Sequence, residues 1–136
     1  MPISWPDTTP VKGKTSKKHS GQISVELYDR RLKIYHAARD LIIHVIRYAS
    51  VDLQRATQFA ADTDEALFLY DESVDAYLSE LYKKAVRLRT LGVLLENAPI
   101  GDHRSSLAVQ EGEIVLWFSE QLGELRRKVQ PFLQTE

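Results

Sequence analysis

Residues 73–97 read SVDAYLSELYKKAVRLRTLGVLLEN and carry the clearest pattern in the chain. Apolar and small residues alternate in it at spacings of four and three: Val74, Leu78, Leu81, Ala85, Leu88, Gly92 and Leu95. Such a seam is typical of a helix that packs lengthwise against another helix. Ser73 is its predicted N-cap. The small residues Ala85 and Gly92 are expected to let the neighbouring helix approach closely. The pattern predicts an all-α protein.

A second seam precedes this helix. It predicts a first helix from about Gly21 to Tyr48, because two sets of apolar residues repeat there every seven positions. The sets are Leu27, Ile34 and Leu41, and Tyr28, Tyr35 and Ile42. Asp52 is the predicted cap of a short second helix that runs to about Ala61.

A third seam follows the central helix. It predicts a last helix from Ser105 or Ser106 to Val129, since Ala108, Val115, Leu122 and Val129 repeat by sevens, with Phe118 and Leu125 beside them. Pro131 disfavours helical geometry at Gln130, so the helix should end there. Three long helices and one short one, joined by short connections, predict an antiparallel helical bundle.

The N-terminal residues differ from the rest in composition. Residues 1–20 hold three prolines and four lysines but few apolar side chains, which predicts a disordered basic tail ahead of a bundle domain at residues 21–136. The four lysines and Asp7 give the tail a charge of +3, which leaves the remaining chain at −4. Contact with nucleic acid or an anionic membrane is therefore assigned to the tail, at Lys17 and Lys18. The alternative is a tail that only aids solubility.

Composition excludes several classes of protein. The chain has no cysteine, which rules out disulfides, zinc–thiolate sites and cysteine nucleophiles. The longest apolar stretches, near residues 41–46 and 91–95, are too short to span a bilayer. Polar residues follow the first lysines where a signal peptide would have an apolar core. We expect a cytoplasmic protein, or alternatively one peripheral to the inner membrane.

Three residues form a candidate metal site. His36, Asp40 and His44 are spaced by four and share one helix face, as ligands for zinc or another divalent ion would. The alternative is a solvated stripe in which Asp40 pairs with a neighbouring histidine. The acidic cluster from Asp62 to Asp75 lacks the spacing and glycine of a calcium-binding EF-hand, and is interpreted as helix caps and a solvated loop.

Motifs for catalysis are missing from the sequence. It contains no phosphate-binding loop, dinucleotide-binding glycine pattern or nucleophile elbow, so we predict no catalytic residue and no cofactor. Four arginines lie on the first helix with Tyr28 and Tyr35 and suggest a surface for anions or nucleic acid; they are Arg30, Arg31, Arg39 and Arg47. The alternative places the tyrosines in the core and pairs the arginines of this helix with nearby acidic residues.

Several segments resemble a group of small uncharacterised bacterial helical proteins. They are LYDRRLKIY (residues 27–35), ARD (38–40), ALFLY (66–70), AYL (76–78) and ELYKKA (80–85). The resemblance spans about residues 23–130 and implies the helical fold, but no activity and no catalytic residues. Members of the group often carry a membrane helix before the domain, where this chain has a polar tail.

These observations favour a non-catalytic helical module for protein–protein interaction, with self-association as one form of it. The apolar stripes of the first and last helices are wider than one contact requires; their extra residues are Tyr28, Tyr35, Ile42, Ile46, Ile114, Leu116 and Trp117. This width predicts a two-fold dimer with Trp117 near the edge of the interface. The alternatives are an accessory protein that binds nucleic acid or anionic membranes through its basic tail, and a metal-binding protein that uses His36, Asp40 and His44.

Overall fold

A computed structural model describes residues 24–134. Six helices and no strand occur in this range: α1 (Val25–Tyr48), α2 (Leu53–Asp62), α3 (Ala66–Leu69), α4 (Glu72–Asn97), α5 (Asp102–Ser119) and α6 (Gln121–Leu133). The predicted all-α bundle is confirmed. The predicted tail, residues 1–20, lies outside the described residues.

Side-chain caps define where three of the helices begin. Ser24 Oγ accepts a hydrogen bond from the backbone N–H of Leu27 at 3.1 Å, so α1 begins at Val25. The predicted start at Gly21 lies outside the described residues. Asp52 caps α2 as predicted, accepting from Arg55 N–H at 2.7 Å. The predicted cap of α4 was wrong. Asp71 performs that role two residues before Ser73, and its carboxylate is better suited than a hydroxyl to the positive end of a helix.

The short helices complete the bundle around one apolar core. Helix α1 packs against α2 and α3 on one side and against α5 and α6 on the other, while α4 packs against α2, α3 and α5. The most deeply buried large side chains come from α1, α4, α5 and α6; they include Ile42, Leu81, Leu88, Phe118 and Leu125. Burying each such side chain stabilises the fold by roughly 1.5–3 kcal/mol before conformational entropy is counted.

The predicted last helix is interrupted at Glu120. Side chains bind the backbone carbonyls there: Ser119 Oγ donates to Leu116 O at 2.5 Å and Gln121 Nε2 donates to Trp117 O at 3.0 Å. Glu120 N–H also bonds Trp117 O, at 3.1 Å, in the tight geometry of a final turn. Two helices, α5 and α6, therefore replace one.

Both predicted ends of that helix were also wrong. Helix α5 begins at Asp102, directly after Gly101, whose φ of 155° suits glycine. Helix α6 continues through Pro131 to Leu133. Proline removes one N–H from the helix, but the last turn is held because Phe132 and Leu133 pack against the core.

Within residues 24–134, none of the helices combines the length and the apolar character needed to cross a membrane.

Candidate interaction surface

Arg31, predicted to lie on an interaction surface, is bonded inside the molecule. Its Nε donates to Leu69 O at 2.6 Å and its Nη1 donates to Phe132 O at 2.9 Å. The guanidinium carbon also lies 5.9 Å from the centre of the Tyr70 ring and 5.6 Å from that of Phe132. In return, the Tyr70 hydroxyl donates to Arg31 O at 2.6 Å, and burial raises the pKa of Tyr70. Arg31 thus joins α1, α3 and α6, and we call this arrangement the Arg31 clamp.

The other predicted interaction residues of the first helix are partly buried. Tyr35 packs against the core and its ring centre lies 5.6 Å from that of His36. Tyr28 is half-buried one turn before the clamp. Lys17 and Lys18 lie outside the described residues. Two of the arginines of this helix pair with acidic residues, as the alternative expected: Arg39 with Asp40 at 3.6 Å and Arg30 with Glu65 at 2.6 Å.

The candidate metal ligands are not assembled into a site. His36 and His44 instead rest against Tyr35 and Tyr48, the second pair with ring centres 4.8 Å apart. Asp40 pairs with Arg39, at 3.6 Å. Partial burial, followed by the charge of Arg55, lowers the pKa of His44. Across residues 24–134, no three His, Cys, Asp or Glu side chains converge to hold a metal ion.

A polar groove with a volume of about 420 Å³ lies between α1 and α2. Its polar lining carries both signs of charge, from Asp40, Asp52, Asp62 and Arg55. One of these carboxylates, Asp52, is already used as a helix cap. A ligand of one charge would meet a like charge in the groove, so it offers no clear binding chemistry.

Helices α4 and α5 form an antiparallel hairpin whose register is fixed by two contacts, and a third contact joins α4 to the start of α6. Arg87 Nη2 donates to Gln110 Oε1 at 2.6 Å, and Lys84 Nζ lies 5.1 Å from the centre of the Trp117 ring. The Tyr77 hydroxyl donates to Gln121 Oε1 at 2.8 Å. Burial raises the pKa of Tyr77, so the hydroxyl stays protonated as the donor.

The outward side of this hairpin combines one exposed stripe from each helix. Residues spaced by four, three and four lie on the same side of a helix. The stripes are Lys83, Arg87, Thr90 and Leu94 on α4, and Val109, Glu113 and Leu116 on α5 with Glu120 directly after its last residue. We call these eight residues the hairpin face. Trp117 lies beside it, half-buried and edge-on to Phe118 with ring centres 5.1 Å apart.

Three exposed apolar side chains lie on the hairpin face. Leu94 is 46% exposed, Val109 61% and Leu116 63%. Phe68 on the short α3 is more exposed, at 82%, but stands in a single turn with Leu67. Several exposed apolar side chains on one side of two long helices favour a partner-binding site, whereas isolated exposed residues are ordinary.

The charges of the hairpin face are segregated by helix. Its α4 stripe carries two cations, Lys83 and Arg87, and its α5 stripe carries two carboxylates, Glu113 and Glu120. The three ion pairs found in residues 24–134 include none of these four side chains. Their charges are therefore left for water or for a partner.

Sequence reasoning identified only part of this face. It singled out Ile114, Leu116 and Trp117 as surplus apolar residues of the last helix, but Ile114 is buried in the core, and it missed Leu94, Val109 and the two rows of charge. The sequence does contain a signal for the two stripes, because their residues are spaced by four, three and four on the polar side of each seam.

Comparison with known proteins found no matching family model, no similar curated protein and no similar solved structure.

Proposed function

We propose that this chain is a non-catalytic protein-interaction module that binds its partner through the hairpin face. The observation that supports the proposal is the exposure of Leu94, Val109 and Leu116 on the outward side of two packed helices. Apolar side chains at the centre of a contact supply binding free energy when they leave water.

The arrangement of polar groups supports the same function. Lys83 and Arg87 border the apolar residues on one side, and Glu113 and Glu120 lie among them on the other. Charges at the border of an interface orient the partner and reject others, because a like charge placed opposite costs binding free energy. A rigid two-helix scaffold also keeps the ordering cost of binding low.

The test compares proteins captured by three baits in a pull-down from the native host. Wild type is compared with the double variant Val109→Asp/Leu116→Asp and with Phe68→Asp, a matched control that also charges an exposed apolar site. Since these positions face solvent, circular dichroism should show all three baits folded. We expect wild type and Phe68→Asp to retain a protein that the double variant loses. Identical capture by all three baits would contradict the proposal.

A further inference from the structure

We infer that the partner is a second copy of this chain, docked hairpin face to hairpin face about a two-fold axis parallel to the helices. This inference rests on the function proposed above. It follows from the separation of charge, since a surface with cations on one helix and carboxylates on the other is complementary to itself.

The direction of the axis decides which helices meet. When two such faces are related by an axis parallel to the helices, α4 of each copy lies over α5 of the other. An in-plane axis perpendicular to the helices would place α4 over α4 in the opposite direction, so that Lys83 and Arg87 of each copy would lie over Leu94 and Thr90 of the other. Only the parallel axis sets Lys83 and Arg87 of each copy against the carboxylates of its mate.

The register within the hairpin supplies the individual pairs. The contacts of Arg87 with Gln110 and of Lys84 with Trp117 place Thr90 level with Val109 and Lys83 level with Leu116. A parallel two-fold axis conserves these levels. Thr90 of one copy therefore lies opposite Val109 of the other, and Arg87 lies near Glu113 of the other.

The size of the face sets the strength of the contact. Helix α5 has 18 residues, which at 1.5 Å each gives a length of about 27 Å. Two helices side by side cover a width of about 20 Å, so the footprint is roughly 500 Å² per copy. This lies at the low end for specific interfaces, and we expect a dimer that dissociates in the micromolar range.

The first experiment exchanges the charges. Lys83→Glu/Arg87→Glu and Glu113→Lys/Glu120→Lys should each sediment as a monomer, because each places like charges opposite each other. An equimolar mixture of the two should recover the dimer, since the pairs across the axis again have opposite charge. Lys33→Glu/Arg47→Glu on α1 makes the same change in net charge away from the face and should dimerise like wild type.

The second experiment tests the axis by cross-linking. The native chain has no cysteine, so single cysteines report unambiguously. An oxidised mixture of Thr90→Cys and Val109→Cys should give a disulfide-linked heterodimer in preference to either homodimer. Preferential homodimers would overturn the proposed axis. This measurement does not depend on the charge variants and keeps the inference testable if either of them fails to fold.

Two results would overturn the second copy as the partner. One is a wild-type chain that stays monomeric into the high micromolar range, and the other is a charge-exchange mixture that stays monomeric. If the chain is monomeric but wild type captures another protein that the Val109→Asp/Leu116→Asp bait does not capture, the proposed function stands with a heterologous partner. If that bait loses nothing, the proposed function fails as well.

Discussion

The Arg31 clamp gives the sharpest test of how this fold is held together. Removing the guanidinium with Arg31→Ala deletes hydrogen bonds to Leu69 O and Phe132 O, at 2.6 and 2.9 Å, and leaves those carbonyls without that donor. A hydrogen bond from a charged group contributes about 1.5–3 kcal/mol. Because Arg31 is only half-buried, solvent replaces part of this energy. We expect the free energy of unfolding to fall by about 2–4 kcal/mol.

The neighbouring arginine supplies a matched control. Arg30 pairs with Glu65 at 2.6 Å, but the two side chains are 48% and 57% exposed. Arg30→Ala should therefore cost less than about 1 kcal/mol. The loss of stability for Arg31→Lys should lie between those of the two alanine variants. Lysine keeps the positive charge, but its single ammonium group cannot bond both carbonyls as the planar guanidinium does. Urea unfolding followed by circular dichroism measures all three. Equal losses for Arg31→Ala and Arg30→Ala would refute the clamp.

Three further predictions concern the core, the exposed helix surface and alkaline pH. Leu81→Asp should unfold the protein or remove its cooperative transition, because it places a charge at a fully buried position. Asp75→Ala at the start of the same helix should lower the free energy of unfolding by less than about 1 kcal/mol. Gly112→Ala should raise the free energy of unfolding by about 0.5–1 kcal/mol, because alanine favours the helix and its added Cβ meets no atom within 4 Å. Thermal denaturation measures this effect, and a lower Tm than wild type would contradict the prediction. Burial raises the pKa of Tyr70 and Tyr77 from the ordinary value of 10. As pH rises, the unfolded chain therefore loses these two protons before the folded protein does. The free energy of unfolding is unaffected by them below pH 10 and falls above pH 10. The decline is up to about 1.4 kcal/mol per pH unit for each tyrosine. The double variant Tyr70→Phe/Tyr77→Phe should show a shallower decline in urea titrations, and an unchanged slope would contradict this assignment.

The sequence predicts α4 well because its burial follows local spacing. Five of the seven seam residues are buried: Val74, Leu78, Leu81, Ala85 and Leu88. The last two, Gly92 and Leu95, are only half-buried, and Leu91 is buried at that end of the helix. The helix needs no information from distant residues to choose this side.

The last helix shows where local spacing is ambiguous. Repeats of seven fit both the predicted set with Ala108, Val115 and Leu122 and a set one residue earlier. The structure buries Leu107 and Ile114 and leaves Ala108 exposed. The earlier set also requires Gln121 in the core, which is favourable only because Tyr77, 44 residues away, bonds its side chain. No local pattern contains that partner.

The same limit applies to the surface. The Arg31 clamp depends on carbonyls that are 38 and 101 residues away in sequence, so the inward position of Arg31 could not be read from its own helix. Each stripe of the hairpin face could have been predicted from the spacing of its residues in the sequence. Pairing the stripes required the register between α4 and α5.

The clamp also has a consequence for the order of folding. The bond from Arg31 to Phe132 closes a loop of 101 residues, whereas α4 and α5 meet across a connection of four residues. Closing the long loop costs more chain entropy, so the hairpin is expected to form early and the clamp after the main barrier has been crossed. A contact that forms after the transition state affects the unfolding rate more than the folding rate. In stopped-flow measurements, Arg31→Ala should therefore accelerate unfolding and leave the folding rate nearly unchanged, which makes the clamp the latch that sets the lifetime of the native bundle.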